Sequence, residues 1–358
     1  MKGVQLDIEN PIALTAWLRG EGRIGHDEAP QIQVLAGGVS NRTVRVLRSS
    51  GECWVLKQAL EQLRVPTEWR SSPMRVHREA LGMQWLARLV PAGAVPEFVF
   101  EDEQVHVVAM RAVPDPHVNW KTTLLTGSVE DWAVAEFARL LAAIHDGSAS
   151  DPMRAVLRMA FRDKSFFEGL RLEPFYEFTA ARVPLAASFL HTLASETRRC
   201  ETALVHGDYS PKNILVHRRS LVLVDHEVIH WGDPMFDVGF AMAHLLCKAT
   251  HLAHHREAFL HAIQRFWNEY AACVGPTFRN ELCQSRAVRH ALACALARVA
   301  GRSQVEYLNE QQKAIQRTWI CHQFQEVPTS WGALVTSFRA LVPAIEGTAR
   351  LDHTVGSQ

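Results

Sequence analysis

The sequence predicts an α+β chain in which a sheet-bearing N-terminal part precedes a larger, mainly helical part, and three observations carry that expectation. Apolar residues alternate with a period of two between Gln31 and Gln58. The period turns helical from residue 74. Beyond Val113-Pro114-Asp115-Pro116 the chain reads as helix after helix, with one β-like island over 203–224. With 358 residues, 47% of them hydrophobic and 21% charged, the chain can bury its own core without disulfides or a metal.

In the N-terminal part, Gln31–Leu35, Thr43–Leu47 and Trp54–Lys57 are β-rich runs separated by Gly37-Gly38 and Ser49-Ser50-Gly51, which predicts an antiparallel meander. Over 74–90, Val76, Ala80, Met83, Ala87 and Val90 fall on one helical stripe, started by Ser71-Ser72-Pro73. Phe98–Glu101 and Val105–Met110 flank Asp102-Glu103 as a hairpin, making five strands and one helix. The stiff proline segment sets the boundary, giving lobes of residues 1–112 and 113–358. The second lobe carries helices expected at 128–146, 153–170, 183–199, 237–250, 256–273, 278–299, 304–319 and 330–345.

Lysine plus arginine and aspartate plus glutamate number 38 each, so there is no global field to grip a polyanion, and nucleic acid is not an expected partner. No apolar run reaches the ~18 residues of a membrane span, and MKGVQLDIEN lacks a signal-peptide profile; a soluble, cytoplasmic protein without a membrane partner is expected. Seven singly spaced cysteines fit reduced thiols. Nothing in the sequence specifies an oligomeric state.

The stretch Leu204-Val205-His206-Gly207-Asp208-Tyr209-Ser210-Pro211-Lys212-Asn213-Ile214, followed by Leu221-Val222-Leu223-Val224-Asp225-His226-Glu227, places polar groups at the tips of two apolar strands. An aspartate followed five positions later by an asparagine can aim a carboxylate at a hydroxyl while the amide oxygen coordinates a cation. Asp225 offers a hard oxygen ligand from the end of the next strand. Phosphoryl transfer needs such a set: a base for the acceptor, metal ions on the phosphates, and little covalent work for the protein.

These motifs resemble those of the aminoglycoside phosphotransferase and choline kinase superfamily, relatives of protein kinases with H-G-D in place of H-R-D. The resemblance implies a two-lobed protein-kinase-like fold, with ATP in the cleft between the lobes and Mg2+ on its phosphates. Lys57 matches the lysine that holds those phosphates, Glu79 its ion-pair partner, and Gly37, Gly38, Ser40 and Asn41 the covering loop. The adenine is expected on the backbone between Ala109 and Ala112, with Met110 and Ala112 as its binding residues. Asp208 matches the catalytic base, Asn213 and Asp225 the metal ligands, and Glu227 the second acid of a D-x-E motif.

Lys57-Gln58-Ala59-Leu60, Arg64, Trp69 and Asp225-His226-Glu227 are similar to the methylthioribose kinase group, whose arginine pair at the sugar site appears here as Ala297-Arg298. Arg298, together with Trp231 near the catalytic loops, is therefore assigned to the acceptor beside Asp208. The resemblance implies an ATP- and Mg2+-dependent kinase acting on a hydroxyl of a small, sugar-like metabolite. The alternatives are an aminoglycoside or choline-type phosphotransferase and a catalytically silent nucleotide-binding scaffold. A protein kinase is disfavoured, because Asp233-Pro234 follows His226-Glu227 where an activation segment would begin.

His206 is expected to hold its loop by hydrogen bonds rather than act as a base, and Asp237 to cap a helix and brace the catalytic loop. The row His244, Cys247, His251 and His254 has helical spacing, but no second element supplies matching ligands, so it reads as a polar helix edge rather than a zinc site.

Overall fold

Five strands form the antiparallel sheet that the period-two segments predict. In the computed structural model, which describes residues 6–35, 38–64 and 68–355, the chain divides into two units. The first runs to His117 and takes back Val222–Val228; the second holds Val118–Leu221 and the chain from Ile229.

In the first unit, β1 (Gln31–Val34), β2 (Asn41–Leu47), β3 (Cys53–Ala59), β4 (Phe98–Asp102) and β5 (Val107–Arg111) lie in the order β1-β2-β3-β5-β4. Because side chains alternate along a strand, β3 sends Trp54 and Leu56 to one face and Val55, Lys57 and Ala59 to the other. The first face buries Val44, Val46, Trp54 and Leu56 with Leu14 and Leu18 of helix α1 (Pro11–Gly20). That helix went unassigned in the sequence, although its start signal is there: Asn10 accepts from the Ile12 and Ala13 amides, and Pro11 needs no partner for its nitrogen. Leu14 is fully buried, and Leu14→Ala would cost about 2–5 kcal/mol.

The opposite face buries Ala59, Val108 and Met110 against Val76, Ala80 and Met83 of α2 (Arg75–Leu86), the stripe read from the sequence. Lys57, opposite Val108 in the ladder, shares this face, and the same packing that buries the stripe brings α2's polar residues to it. Hydrophobic burial thus fixes where the charged groups of the sheet meet.

The second unit begins with the short β6 (His117–Asn119) and α3 (Trp120–Leu125), which the sequence reading lacked, followed by α4 (Asp131–Ala149) and α5 (Met153–Ala160). The helix expected over 153–170 breaks after Ala160. It resumes as α6 (Ser165–Phe167), continues in a π-helical register over Glu168–Glu177 with Pro174 inside, and ends as α7 (Phe178–Arg182). Proline supplies no N–H to an α-helical ladder, and a widened register here accompanies it. After α8 (Ala187–Arg199), β7 (Ala203–Val205) pairs antiparallel with β10 (His230–Gly232); β8 (Ile214–His217) and β9 (Ser220–Leu223) lie between them in sequence.

The core of this unit is α9 (Pro234–His251) packed on α11 (Glu281–Ala300), with α10 (Arg256–Cys273) against α4. Gly239 lets α9 and α11 meet closely: a Cβ there would lie 2.6 Å from the Ala287 carbonyl oxygen. The helix expected from 304 starts instead at Glu310, as α12 (Glu310–Gln323), where Asn309 and Gln312 form a capping box; α13 (Trp331–Val355) follows. All seven cysteines are free. Among the described residues, no helix is long and apolar enough to cross a membrane.

Candidate active site

Each unit gathers one cluster of site residues. In the first, the Lys57 ammonium lies 2.6 Å from Glu79 Oε1 and 2.9 Å from Asp225 Oδ1. Burial alone would pull this ammonium down, but the Asp225 and Glu79 carboxylates outweigh it and hold it above the ordinary lysine range. Asp225 reaches this position with a left-handed backbone, φ 72°, a conformation that aspartate tolerates better than most residues. The Leu223 amide, which donates to the Ala94 carbonyl at 2.8 Å, anchors the strand before it.

A second ion pair lies one helical turn from Glu79 on α2. Arg75 is fully buried, with Nε 3.1 Å from Glu227 Oε2. Its other nitrogens donate to the carbonyls of Ser40, Leu60, Ser71 and Ser72. Asn41 Nδ2 donates to the same Glu227 oxygen at 3.4 Å and to Ser40 Oγ at 3.2 Å. Arg75 therefore ties the loop before β2 to Glu227. It went unread in the sequence, although its place four residues before Glu79, beside the buried Val76, was the available signal.

Gly37 lies outside the described residues; Ser40 and Asn41 are buried at the start of β2. The Met110 side chain belongs to the core under α2. The Ala112 amide donates to the Cys53 carbonyl at 2.9 Å, so a protein acceptor already satisfies it.

In the second unit, Asp237 at the start of α9 accepts the His206 amide at 2.6 Å and the Gly207 amide at 2.8 Å, and His206 Nδ1 accepts the Asp208 amide at 3.2 Å. His206 and Asp237 hold the loop as expected, but the cap of α9 is Asp233, whose carboxylate accepts the Met235 amide at 3.1 Å, and Asp237 lies inside the first turn. Gly207 turns the loop at φ 76°, where a side chain would be strained. Asp208, 1% exposed, meets Arg171 at 2.9 Å, Lys212 at 2.7 Å and the Asn213 amide nitrogen at 2.7 Å, all through Oδ2. Arg171 comes from the π-helical stretch and also donates to the Gly207 carbonyl at 2.9 Å. Helical periodicity does not mark Arg171, because the register that aims it at Asp208 is not an α-helical one.

Trp231 is buried in β10, its backbone paired with Leu204. Arg298, in the last turn of α11, packs its guanidinium over Phe175 at 4.7 Å and Phe240 at 5.2 Å and donates to Ser303. The histidine and cysteine row on α9 disperses to separate partners: His244 to Arg298, Cys247 to Gln316 and His251 to Gln312. No group of three His, Cys, Asp or Glu residues suited to a metal ion occurs among the described residues.

Asp225 and Asn213 are hard oxygen donors, and magnesium is commonly held by one or two carboxylates together with substrate phosphates.

The model of the phosphotransferase enzyme family matches residues 31–274. Methylthioribose kinases 2 and 1 of Oryza sativa subsp. japonica are each 25% identical over 247 residues, covering 62% of this chain and 57% of the kinase. The chain thus matches less than two thirds of the length of these relatives. Among solved structures, aminoglycoside 2'-phosphotransferase-IIIa in its GDP complex has a TM-score of 0.51 at 14% identity, covering 95% of this chain and 99% of its own. A choline/ethanolamine kinase family protein from Mesorhizobium loti has a TM-score of 0.50 at 16% identity, covering 91% of this chain and 99% of its own. Both share the two-lobed kinase-like fold, which is the fold of this chain.

Proposed function

The chain belongs to the phosphotransferase enzyme family, and from that membership we propose an ATP-dependent small-molecule kinase that transfers the γ-phosphoryl group to a hydroxyl of a small metabolite. The observation that carries the reading is the Lys57 ammonium held between the buried Glu79 carboxylate and the half-buried Asp225 carboxylate, a fixed positive charge of the kind that receives nucleotide phosphates.

In this reading residues 1–112, joined by Val222–Val228 of the same unit, bind the nucleotide, and the rest of 113–358 binds the acceptor. Lys57 takes the phosphates, the loop of Gly37, Gly38, Ser40 and Asn41 covers them, and the backbone near Met110 and Ala112, apart from the Ala112 amide that Cys53 already holds, receives the adenine. Asp225 and Asn213 would hold Mg2+, which supplies charge neutralisation on the phosphates. Glu227 is already committed to Arg75 and Asn41, which favours a role in fixing the covering loop over one in binding the cation. Asp208 orients the acceptor hydroxyl and takes its proton as oxygen bonds to the γ-phosphorus. The bond from that phosphorus to the β–γ bridging oxygen breaks, and ADP leaves. The reaction is assigned to the cytoplasm, where ATP is available and thiols stay reduced.

Calorimetric titration of ATP with and without Mg2+ tests the nucleotide half. Asp225→Ala should abolish turnover and remove the dependence of ATP affinity on magnesium. Unchanged magnesium-dependent affinity in that variant would contradict the assignment.

A further inference from the structure

Positive charge runs inward from the catalytic aspartate through the second unit. Arg171 and Lys212 pair with Asp208. Arg298 shares the Phe175 ring with Arg171, and both Asp208 and Arg171 act on its charge. His244 lies 3.2 Å from Arg298, and Lys248 follows one turn along α9. The Lys248 ammonium sits 5.4 Å from the centre of the Tyr307 ring, which Lys121 approaches at 5.9 Å; Lys121 pairs with Glu306. These are five basic side chains, Lys121, Arg171, Lys212, Lys248 and Arg298, against two acids, Asp208 and Glu306.

Two features give this excess a direction. Arg298 is 7% exposed, and its Nε has no hydrogen-bond partner; Lys248 is 0% exposed and donates to the carbonyl of His244 at 3.3 Å. Burial and the charges of Arg298, Lys248, Lys212 and Lys121 hold the His244 imidazole well below its usual range. It is therefore neutral, Nε2 accepts from Arg298, and Nδ1 carries the proton. Unpaired buried cations are costly, and an entering anion relieves that cost. Asp208, which any acceptor must reach, is just as deeply buried.

We propose that Arg298, Lys248 and His244 hold an anionic group, a carboxylate or a phosphate, carried by the acceptor whose hydroxyl is phosphorylated at Asp208. The assignment rests on the kinase reading for its acceptor, while the anion site stands on the charges themselves. A guanidinium offers a planar fork to either anion, and the ammonium adds a point charge. Polycationic and quaternary ammonium acceptors are disfavoured by the same arrangement.

Two measurements on the full chain separate the parts. The first needs no turnover: inorganic phosphate is titrated calorimetrically into protein saturated with Mg-ADP. Saturable binding is expected, weakened about tenfold or more in Lys248→Met and in Arg298→Ala, the scale of one charge-assisted hydrogen bond. No binding up to about 10 mM, or equal binding in both variants, overturns the anion site.

The second compares glycerol with glycerate and glycerol phosphate, ribose with ribose phosphate, and methylthioribose and choline, as acceptors. An anionic member should be preferred, carboxylate and phosphate being told apart by which one, and Lys248→Met should raise its KM far more than it lowers kcat. Preference for the neutral or cationic members overturns the inference and leaves the kinase intact. Phosphate binding that is lost in the variants, without phosphorylation of any acceptor, supports the anion site while counting against the kinase reading.

Discussion

Glu227 and Arg75 form an ion pair sealed inside the first unit, 3.1 Å apart, with the Arg75 guanidinium also spanning four backbone carbonyls. Breaking one partner of such a pair leaves the other charged and dry, whereas replacing both with apolar residues removes the penalty. The pair therefore behaves as a unit.

Arg75→Met should destabilise the first unit by about 3–5 kcal/mol, and Glu227→Leu by a comparable amount. The double variant should recover part of that loss, giving a coupling energy above about 1 kcal/mol in a denaturant double-mutant cycle. Strictly additive losses would mean that the pair is not coupled in solution.

Asp237 holds the catalytic loop through the two amides that precede Asp208. Asp237→Ala leaves both buried donors without their acceptor, so kcat should fall by about tenfold or more while ATP affinity stays unchanged. Hydrogen exchange at the His206 and Gly207 amides should accelerate in the same variant; unchanged protection would place the brace elsewhere.

Lys248 links stability to pH. Burial pulls its pKa from 10.5 down to about 7. The groups acting on it are Cys247 and His244 on its own helix, Lys121 on α3, Arg298 on α11, and Glu306 and Tyr307 between α11 and α12. The unfolded chain binds this proton more tightly than the folded one, so this residue's contribution to stability rises with pH between 7 and 10.5, and its cost is fully present below 7. Lys248→Met should raise stability near pH 6 by roughly 2–4 kcal/mol, with the gain shrinking towards pH 10. Urea titrations across that range check it. A variant less stable than wild type at pH 6 would contradict the assigned direction.

Much of the fold was legible because its signals are local. Period-two runs and short turns mark β1 to β5, and the stripe of Val76, Ala80 and Met83 marks α2. The pairing of Lys57 with Glu79 was legible because a strand-end lysine and a glutamate bordering the buried stripe follow each other in order along the chain. Residues whose importance arises only in three dimensions were not. Arg75 looks like an ordinary helix arginine until its stripe is seen to be buried. Arg171 needs a π-helical register that no α-helical periodicity reveals. His244 was weighed as a metal ligand along one helix, whereas its partner, Arg298, comes from another. The bond from the Ala112 amide to the Cys53 carbonyl joins residues far apart in the chain, and no local signal marks it.

The proposed role of Asp208 as the base of a phosphoryl transfer is isolated in single-turnover transfer of the γ-phosphoryl group from saturating Mg-ATP to a productive acceptor. Asp208→Asn should slow this step by about two to four orders of magnitude with ATP affinity nearly unchanged, the usual scale for a positioned general base. Retention of more than about a tenth of the wild-type rate would contradict the claim.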